Sequence, residues 1–218
     1  MMRNYQKFPV EKWVDLLKGE PAFILGNSPS ILKHDLGLIS NYFTIGINRI
    51  YLLMEPTVLF WQDIGLYEDG GDKHVEACNS IKLCRIQCDK SRQYNNFEVT
   101  SGKYRFTGRP NKYQGSGCSA AIACQLAHAM GASHIVLLGC DGKYAEDGRT
   151  DFYGKNTQHR RHTVRNFDKG YDFLKRECPV PIINCSENER WPQVSLKDAI
   201  EATKPVERAI GQWFAKLC

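Results

Sequence analysis

Four short segments of this sequence combine residue types that could act on a phosphate or on a proton. The first is Gly26-Asn27-Ser28-Pro29-Ser30. A glycine at the end of a strand lets a ligand approach the backbone closely. A helix starting just after it offers unpaired N–H groups and the positive end of its dipole to an anion. Ser28 or Ser30 could equally cap that helix, and the pentad alone does not choose between the two roles. The second segment is Gly115-Ser116-Gly117-Cys118-Ser119-Ala120-Ala121. It is another glycine-rich helix start, without the Lys-Ser/Thr of a P-loop or the spacing of a dinucleotide fingerprint. Its small residues also suit a helix lying close on a sheet. The third is Leu138-Gly139-Cys140-Asp141-Gly142-Lys143-Tyr144. Asp141 could hold a ribose, a metal or a neighbouring backbone, while Lys143 and Tyr144 can meet a phosphate. The fourth is His159-Arg160-Arg161-His162. An imidazole is the side chain best suited to take a proton near pH 7. These two histidines stand three residues apart rather than four, with no carboxylate beside them, so no metal pair is expected.

Other candidates read as structural. His128 and His134 sit in apolar surroundings. Arg160, Arg161, Arg165 and Lys169 also fit a solvated helix face. Cys78, Cys84 and Cys88, with His74 nearby, are spaced more loosely than zinc pairs usually are. No metal site is expected.

The elements that must position these segments follow from the apolar pattern. Val10 to Lys18 reads as an amphipathic helix with Trp13, Leu16 and Leu17 on one face. Ala22–Leu25 is a short, continuously apolar run of the kind buried on both faces of a parallel sheet, His134–Gly139 is the clearest buried strand, and Phe43–Asn48, Thr57–Trp61, Ser80–Ile86 and Val180–Asn184 also read as strands. Tyr94 to Lys112 reads as an irregular strand pair. Ile31 to Ser40, Ser119 to Met130, Arg160 to Glu177 and one or two segments within Ser195 to Lys216 read as helices. Strands alternating with helices imply βαβ units. The expected fold is therefore α/β and Rossmann-like, a mostly parallel sheet with helices on both faces. It is read as one domain over residues 1–218, with the polar loop 142–160 as a lid hinged at Gly148 and Gly154. Ligands of such sheets sit beyond the carboxyl ends of the strands. That singles out Gly26 to Ser30, Asn48, Gln62 and Asp63, and Asp141 to Tyr144.

Composition is that of an ordinary globular protein. Of 218 residues, 42% are hydrophobic and 24% charged, and the net charge is +5. Such mild basicity suits an anionic small molecule as well as nucleic acid. Nine cysteines, an odd number, lie partly in apolar stretches and read as reduced thiols. With no apolar run long enough for a membrane span and no signal core at Met1 to Val10, the expected location is cytoplasmic.

In these residues the chain resembles the bacterial sialyltransferases of glycosyltransferase family 42. It also resembles a broader group that includes the archaeal 6-hydroxymethylpterin diphosphokinases. That family opens with a strand and Gly-Asn-Gly-Pro-Ser, here Gly26-Asn27-Ser28-Pro29-Ser30. Its next strand ends at an Asn, here Asn48. A Ser-Gly then opens a small-residue helix, as Ser116-Gly117 does, and a strand ends in Gly-x-Asp, as Gly139-Cys140-Asp141 does. Finally, the sialyltransferases place a His eleven residues before a Phe-Leu pair, as His162 stands before Phe173-Leu174. The match runs from about Phe23 to Cys185.

The resemblance implies a glycosyltransferase using a CMP-activated or other nucleotide sugar, without a metal and without a cofactor beyond that co-substrate. Gly26, Asn27, Ser28, Ser30, Asn48, Asp63, Ser116, Gly117, Gly139 and Asp141 would hold the donor. His162 would be general base on the acceptor hydroxyl. Lys143, Tyr144 and Tyr153 would meet the leaving phosphate, Lys143 standing where the family has its first tyrosine. The implied partners are the nucleotide sugar and a glycan or other hydroxyl acceptor, with a homo-oligomer allowed and no nucleic acid. Two alternatives are carried. One is a diphosphokinase using Mg²⁺ on Asp63 and Asp141; the other is a nucleotide-binding module without catalysis.

Overall fold

The computed structural model describes residues 7–63, 66, 71–89, 93–115, 117–154, 161–208 and 210–217, with the side chains at 71, 72, 161–163 and 210 outside that description. The fold is α/β. Among the described residues one sheet of eight strands runs through the molecule. They are β1 (Ala22–Leu25), β2 (Thr44–Ile47), β3 (Val58–Trp61), β4 (Ile81–Arg85), β5 (Asn95–Thr100), β6 (Lys112–Gln114), β7 (Ile135–Leu138) and β8 (Ile182–Asn184). Their order is β6-β5-β4-β3-β2-β1-β7-β8. Every pairing between neighbours is parallel. β1 lies inside the sheet, with β2 on one side and β7 on the other, so the direction of winding reverses between β1 and β7. That reversal point is where open α/β sheets bind ligands.

β1, β3 and β7 form where the sequence is continuously apolar because both faces of the sheet are covered there. Successive side chains alternate between faces. Ala22 and Ile24 of β1 join one buried cluster, and Phe23 and Leu25 join the other. The first cluster lies under helices α2 (Ser119–Ala129), α3 (Arg161–Glu177) and α5 (Ile210–Leu217). The second lies under α1 (Gly71–Ala77), α4 (Leu196–Thr203) and a set of short 3-10 turns.

Two expected helices are 3-10 turns instead. Val10 to Lys18 holds one 3-10 turn, Val10–Trp13, and the chain then reverses at Asp15 with φ of 56°. Trp13, Leu16 and Leu17 are buried all the same. Ile31 to Ser40 is broken into Pro29–Lys33 and Leu36–Ile39 by extended backbone at His34 and Asp35. Asp35 accepts a bond from Gly37 N, which starts the second turn rather than continuing the first. Asp, favoured as a cap, competes with a continuous helix in this way. Among the described residues no helix is long and apolar enough to cross a membrane.

Candidate functional site

The carboxyl ends of β1 and β7 are pressed together by two glycines. A Cβ at Gly26 would stand 2.2 Å from the Gly139 carbonyl oxygen and 2.9 Å from Cys140 Sγ. Gly139 itself has φ of 59° and would meet Ile31 at 2.8 Å. What approaches the Gly26 backbone is therefore the neighbouring strand end. Gly26 N and Ser28 N donate to the carbonyls of Leu138 and Gly139 at 2.8 and 2.9 Å.

The serines of the first pentad serve this junction. Ser28 occupies the cap position of its turn but makes no side-chain cap bond. Its hydroxyl accepts from Asp141 N at 3.3 Å. Ser30, buried, donates its hydroxyl proton to Asp141 Oδ1 at 2.5 Å. The same Oδ1 accepts from Glu187 N at 3.0 Å. Burial raises the Asp141 carboxyl above its ordinary value, and the Ser30 bond offsets part of that rise. Asp141 thus ties together the segments after β1, β7 and β8.

The asparagines face a different need. Asn27 is buried; its Nδ2 donates to Ile47 O at 2.9 Å, which fixes the orientation of the amide and leaves Oδ1 buried without a partner. Asn48, on the next strand end, also has a buried Oδ1 without a partner. Its backbone is left-handed, φ 49°. Buried polar atoms in native proteins are nearly always hydrogen-bonded. Two such orphaned oxygens at adjoining strand ends mark the place where a donor-bearing ligand would be met.

The loop after β7 closes over these ends. Phe152 N donates to Asn27 O at 2.8 Å. Tyr153 follows, with the Arg49 guanidinium 5.1 Å from its ring centre. Burial first, and then the Asp151 carboxylate, push the Tyr153 phenol above its ordinary value. Gly148 and Gly154, the glycines read as hinges from the sequence, both have positive φ, 78° and 139°. Lys143 is taken up by Glu189 at 2.8 Å in an exposed ion pair. Tyr144 is exposed, and Asp63 is exposed at the end of β3.

The second glycine-rich turn reaches the same edge. Gln62, at the end of β3, donates its Nε2 to Ser119 Oγ at 2.8 Å, bringing the start of α2 to the strand ends. Gly117, φ 78°, would drive a Cβ to 2.7 Å from Asn166, so α3 also meets the turn there. Ser116 lies outside the described residues. His162 lies in the first turn of α3, one turn before Asn166, and its side chain is outside the description. Residues 155–160 of the expected lid are outside it too.

The cysteines carry no comparable signal. Burial pushes the thiols of Cys88, Cys118, Cys178 and Cys185 up to about 11. The site residues that sequence reasoning left out are Arg49, Asp151 and Asn166. Arg49 immediately follows a strand-end asparagine, which was a usable signal.

No family model matches the chain. No curated protein matches it either. Solved structures do. The MAf glycosyltransferase from Magnetospirillum magneticum AMB-1 aligns over 92% of this chain with a TM-score of 0.50 and 14% identity, and the chain spans 37% of that protein. The sialyltransferase CstII from Campylobacter jejuni, solved with cytidine-5'-monophosphate, aligns over 88% of this chain and 86% of its own, at 15% identity and a TM-score of 0.49. Another structure of sialyltransferase CST-II, with a trisaccharide acceptor and CMP, aligns over 76% of this chain and 80% of its own, at 16% identity and a TM-score of 0.42. At such identities the likeness is one of fold. This chain shares the α/β fold of a glycosyltransferase.

Proposed function

We propose that this chain is a glycosyltransferase that moves a sugar from a nucleotide donor, CMP-activated in our first reading, to a hydroxyl acceptor. The observation that carries the proposal is the pair of buried, unpartnered carboxamide oxygens of Asn27 and Asn48 at neighbouring strand ends. Leaving such an atom unpaired costs about 1–3 kcal/mol. A nucleoside supplies the missing donors as amino and hydroxyl groups. The fold shared with a glycosyltransferase and the ordered motif matches from Gly26 to His162 support the same reading.

In the reaction, the bond between the anomeric carbon and the donor phosphate breaks, and its electron pair goes to the phosphate oxygen. The acceptor oxygen forms the new bond and gives its proton to a base, the role we assign to His162. Positive charge grows on the sugar and negative charge on the phosphate, so donors aimed at the phosphate lower the barrier. Tyr153 is assigned there. A base matched to neutral pH contributes about 10²–10⁴-fold. We read residues 142–160 as the lid that excludes water from this step, and the chain as needing no metal.

A thermal-shift series with CMP, CDP, UDP, GDP, ADP and ATP, with and without Mg²⁺, tests the proposal. A ligand at 100 times its Kd stabilises by about 2.7 kcal/mol. At about 2–4 °C per kcal/mol for a chain of this size, the CMP-bound protein melts roughly 5–11 °C higher. A shift for ATP with Mg²⁺ alone would point to the diphosphokinase instead. Binding without turnover of any nucleotide sugar, unchanged by His162→Ala, would leave a binding module.

A further inference from the structure

We propose that Arg85, at the carboxyl end of β4, takes the carboxylate of an acidic acceptor sugar. The inference rests on the transferase reading above and concerns a residue that none of the sequence motifs contains. Arg85 is partly buried, and its Nε–H is buried without a hydrogen-bond partner among the described residues. Its nearest acidic neighbour in sequence, Asp89, is bound elsewhere. Asp89 Oδ1 accepts from Gln93 N, and Oδ2 from Tyr94 N and Asn96 Nδ2, each at 3.0 Å. A buried donor on a cation is costlier to leave unpaired than a neutral one, and an anion is the partner that satisfies it best.

Where Arg85 stands decides what it meets. Along β4, Ile81 and Leu83 belong to the cluster beneath α2 and α3, and alternation sends Arg85 to that same face. Phe97, opposite Arg85 on β5, belongs to the same cluster. β3 and β4 pair with Trp61 opposite Cys84, which sets Gln62 level with Arg85. Gln62 is the residue whose Nε2 reaches Ser119 Oγ at 2.8 Å, at the start of α2. Cys88 Sγ donates to Gln62 O at 3.1 Å; burial raises that thiol, Asp63 adds to the rise and the Arg85 charge opposes it. Arg85 therefore stands one strand from the contact that anchors the Gly117 turn. α3 meets that turn through Asn166, one helical turn after His162. The orphaned asparagine oxygens lie at the ends of β1 and β2. β4 is two strands beyond β2, about 10 Å at the usual strand spacing. A nucleotide held at β1 and β2 leaves that distance to the transferred sugar, and the acceptor follows on the Arg85 side. A guanidinium offers its Nε–H and one Nη–H as a side-on pair that matches the two oxygens of a carboxylate. One such charge balances a carboxylate, whereas a phosphate monoester carries close to two.

The test titrates the CMP-saturated full chain with glucose, glucuronate and glucose 6-phosphate, which differ only at C6, and follows binding by NMR. The unaltered protein should bind glucuronate about tenfold or more tightly than glucose, as a charge-assisted pair requires. Arg85→Met should remove that preference and leave the glucose and CMP affinities within about twofold. It should also melt no lower than the original, because the lost Nε–H had no partner in the protein. Should Arg85→Met fail to fold, Arg85→Gln reads the same ratio. Equal binding of glucuronate and glucose by the unaltered protein overturns the assignment, as does a preference that survives in the folded variant. Tighter binding of glucose 6-phosphate than of glucuronate overturns the choice of a carboxylate. Displacement of glucuronate by CMP overturns the placement on the acceptor side. Failure of CMP to bind overturns the donor reading alone, and the glucuronate preference is then read without it.

Discussion

Replacing Asn48 by glycine separates stability from function in a way few substitutions do. In the ligand-free protein Asn48 stabilises little: its Oδ1 is buried without a partner, and its backbone sits at φ 49°, a region that favours glycine. Removing the orphaned oxygen relieves about 1–3 kcal/mol. Glycine gives back about 0.4–1 kcal/mol through a more flexible unfolded chain. The expected net gain is about 1 kcal/mol, or roughly 2–4 °C in Tm. The bound state responds in the opposite sense. A ligand donor that met Oδ1 now has no acceptor, so nucleotide affinity should fall by about 1.4 kcal/mol or more, a factor of ten. Urea denaturation and calorimetric titration with CMP read the two quantities independently. Asn48→Ala is the control, because alanine also loses the oxygen but dislikes the left-handed backbone, and its Tm should lie below that of Asn48→Gly. A glycine variant that is less stable than the original, or that binds CMP as tightly, would refute the argument that this oxygen waits for a ligand.

Two further predictions concern the junction beneath the site. Gly26→Ala forces a Cβ to 2.2 Å from a backbone carbonyl that has no rotamer to move. The expected cost is about 3 kcal/mol, at the upper end of overpacking penalties, and Tm should fall by roughly 6–12 °C in a differential scanning experiment. Asp141→Asn retains an oxygen to accept from Ser30 and Glu187 N while removing a charge whose burial is unfavourable. The folded Asp141 pKa is raised above 3.8, so its contribution to stability is fully present below that pH and is lost as pH rises through the folded value. The variant should therefore gain stability relative to the original protein as pH increases from 3.8, a difference read by urea midpoints at pH 4 and pH 7.

Much of the fold was legible because burial on both faces writes a simple pattern. Ala22–Leu25, Val58–Trp61 and Ile135–Leu138 are uninterrupted apolar runs, and each is a fully buried strand. The short turns were less legible. Pro29–Lys33 and Leu36–Ile39 share the apolar spacing of a helix, and extended backbone at His34 and Asp35 separates them, with Asp35 capping the second turn at Gly37 N. α1 (Gly71–Ala77), seven residues with a single buried valine, Val75, carries too little periodicity to be noticed.

The sequence by itself singled out the strand ends as the place for a ligand, because a parallel sheet covered on both faces leaves the carboxyl ends of its strands open. It therefore pointed to Asn27, Asn48 and Asp141 before any of them had a position. Only the tertiary structure decided what each does there. Ser30 and Asp141 are 111 residues apart in the chain, and their hydrogen bond arises because β1 and β7 lie side by side. The same adjacency engages Asp141 with the junction, and the pairing of β1 with β2 sets Asn27 beside the end of β2, its Nδ2 donating to Ile47 O. Residue type sets which bonds a side chain can make, and strand order sets which partners are within reach.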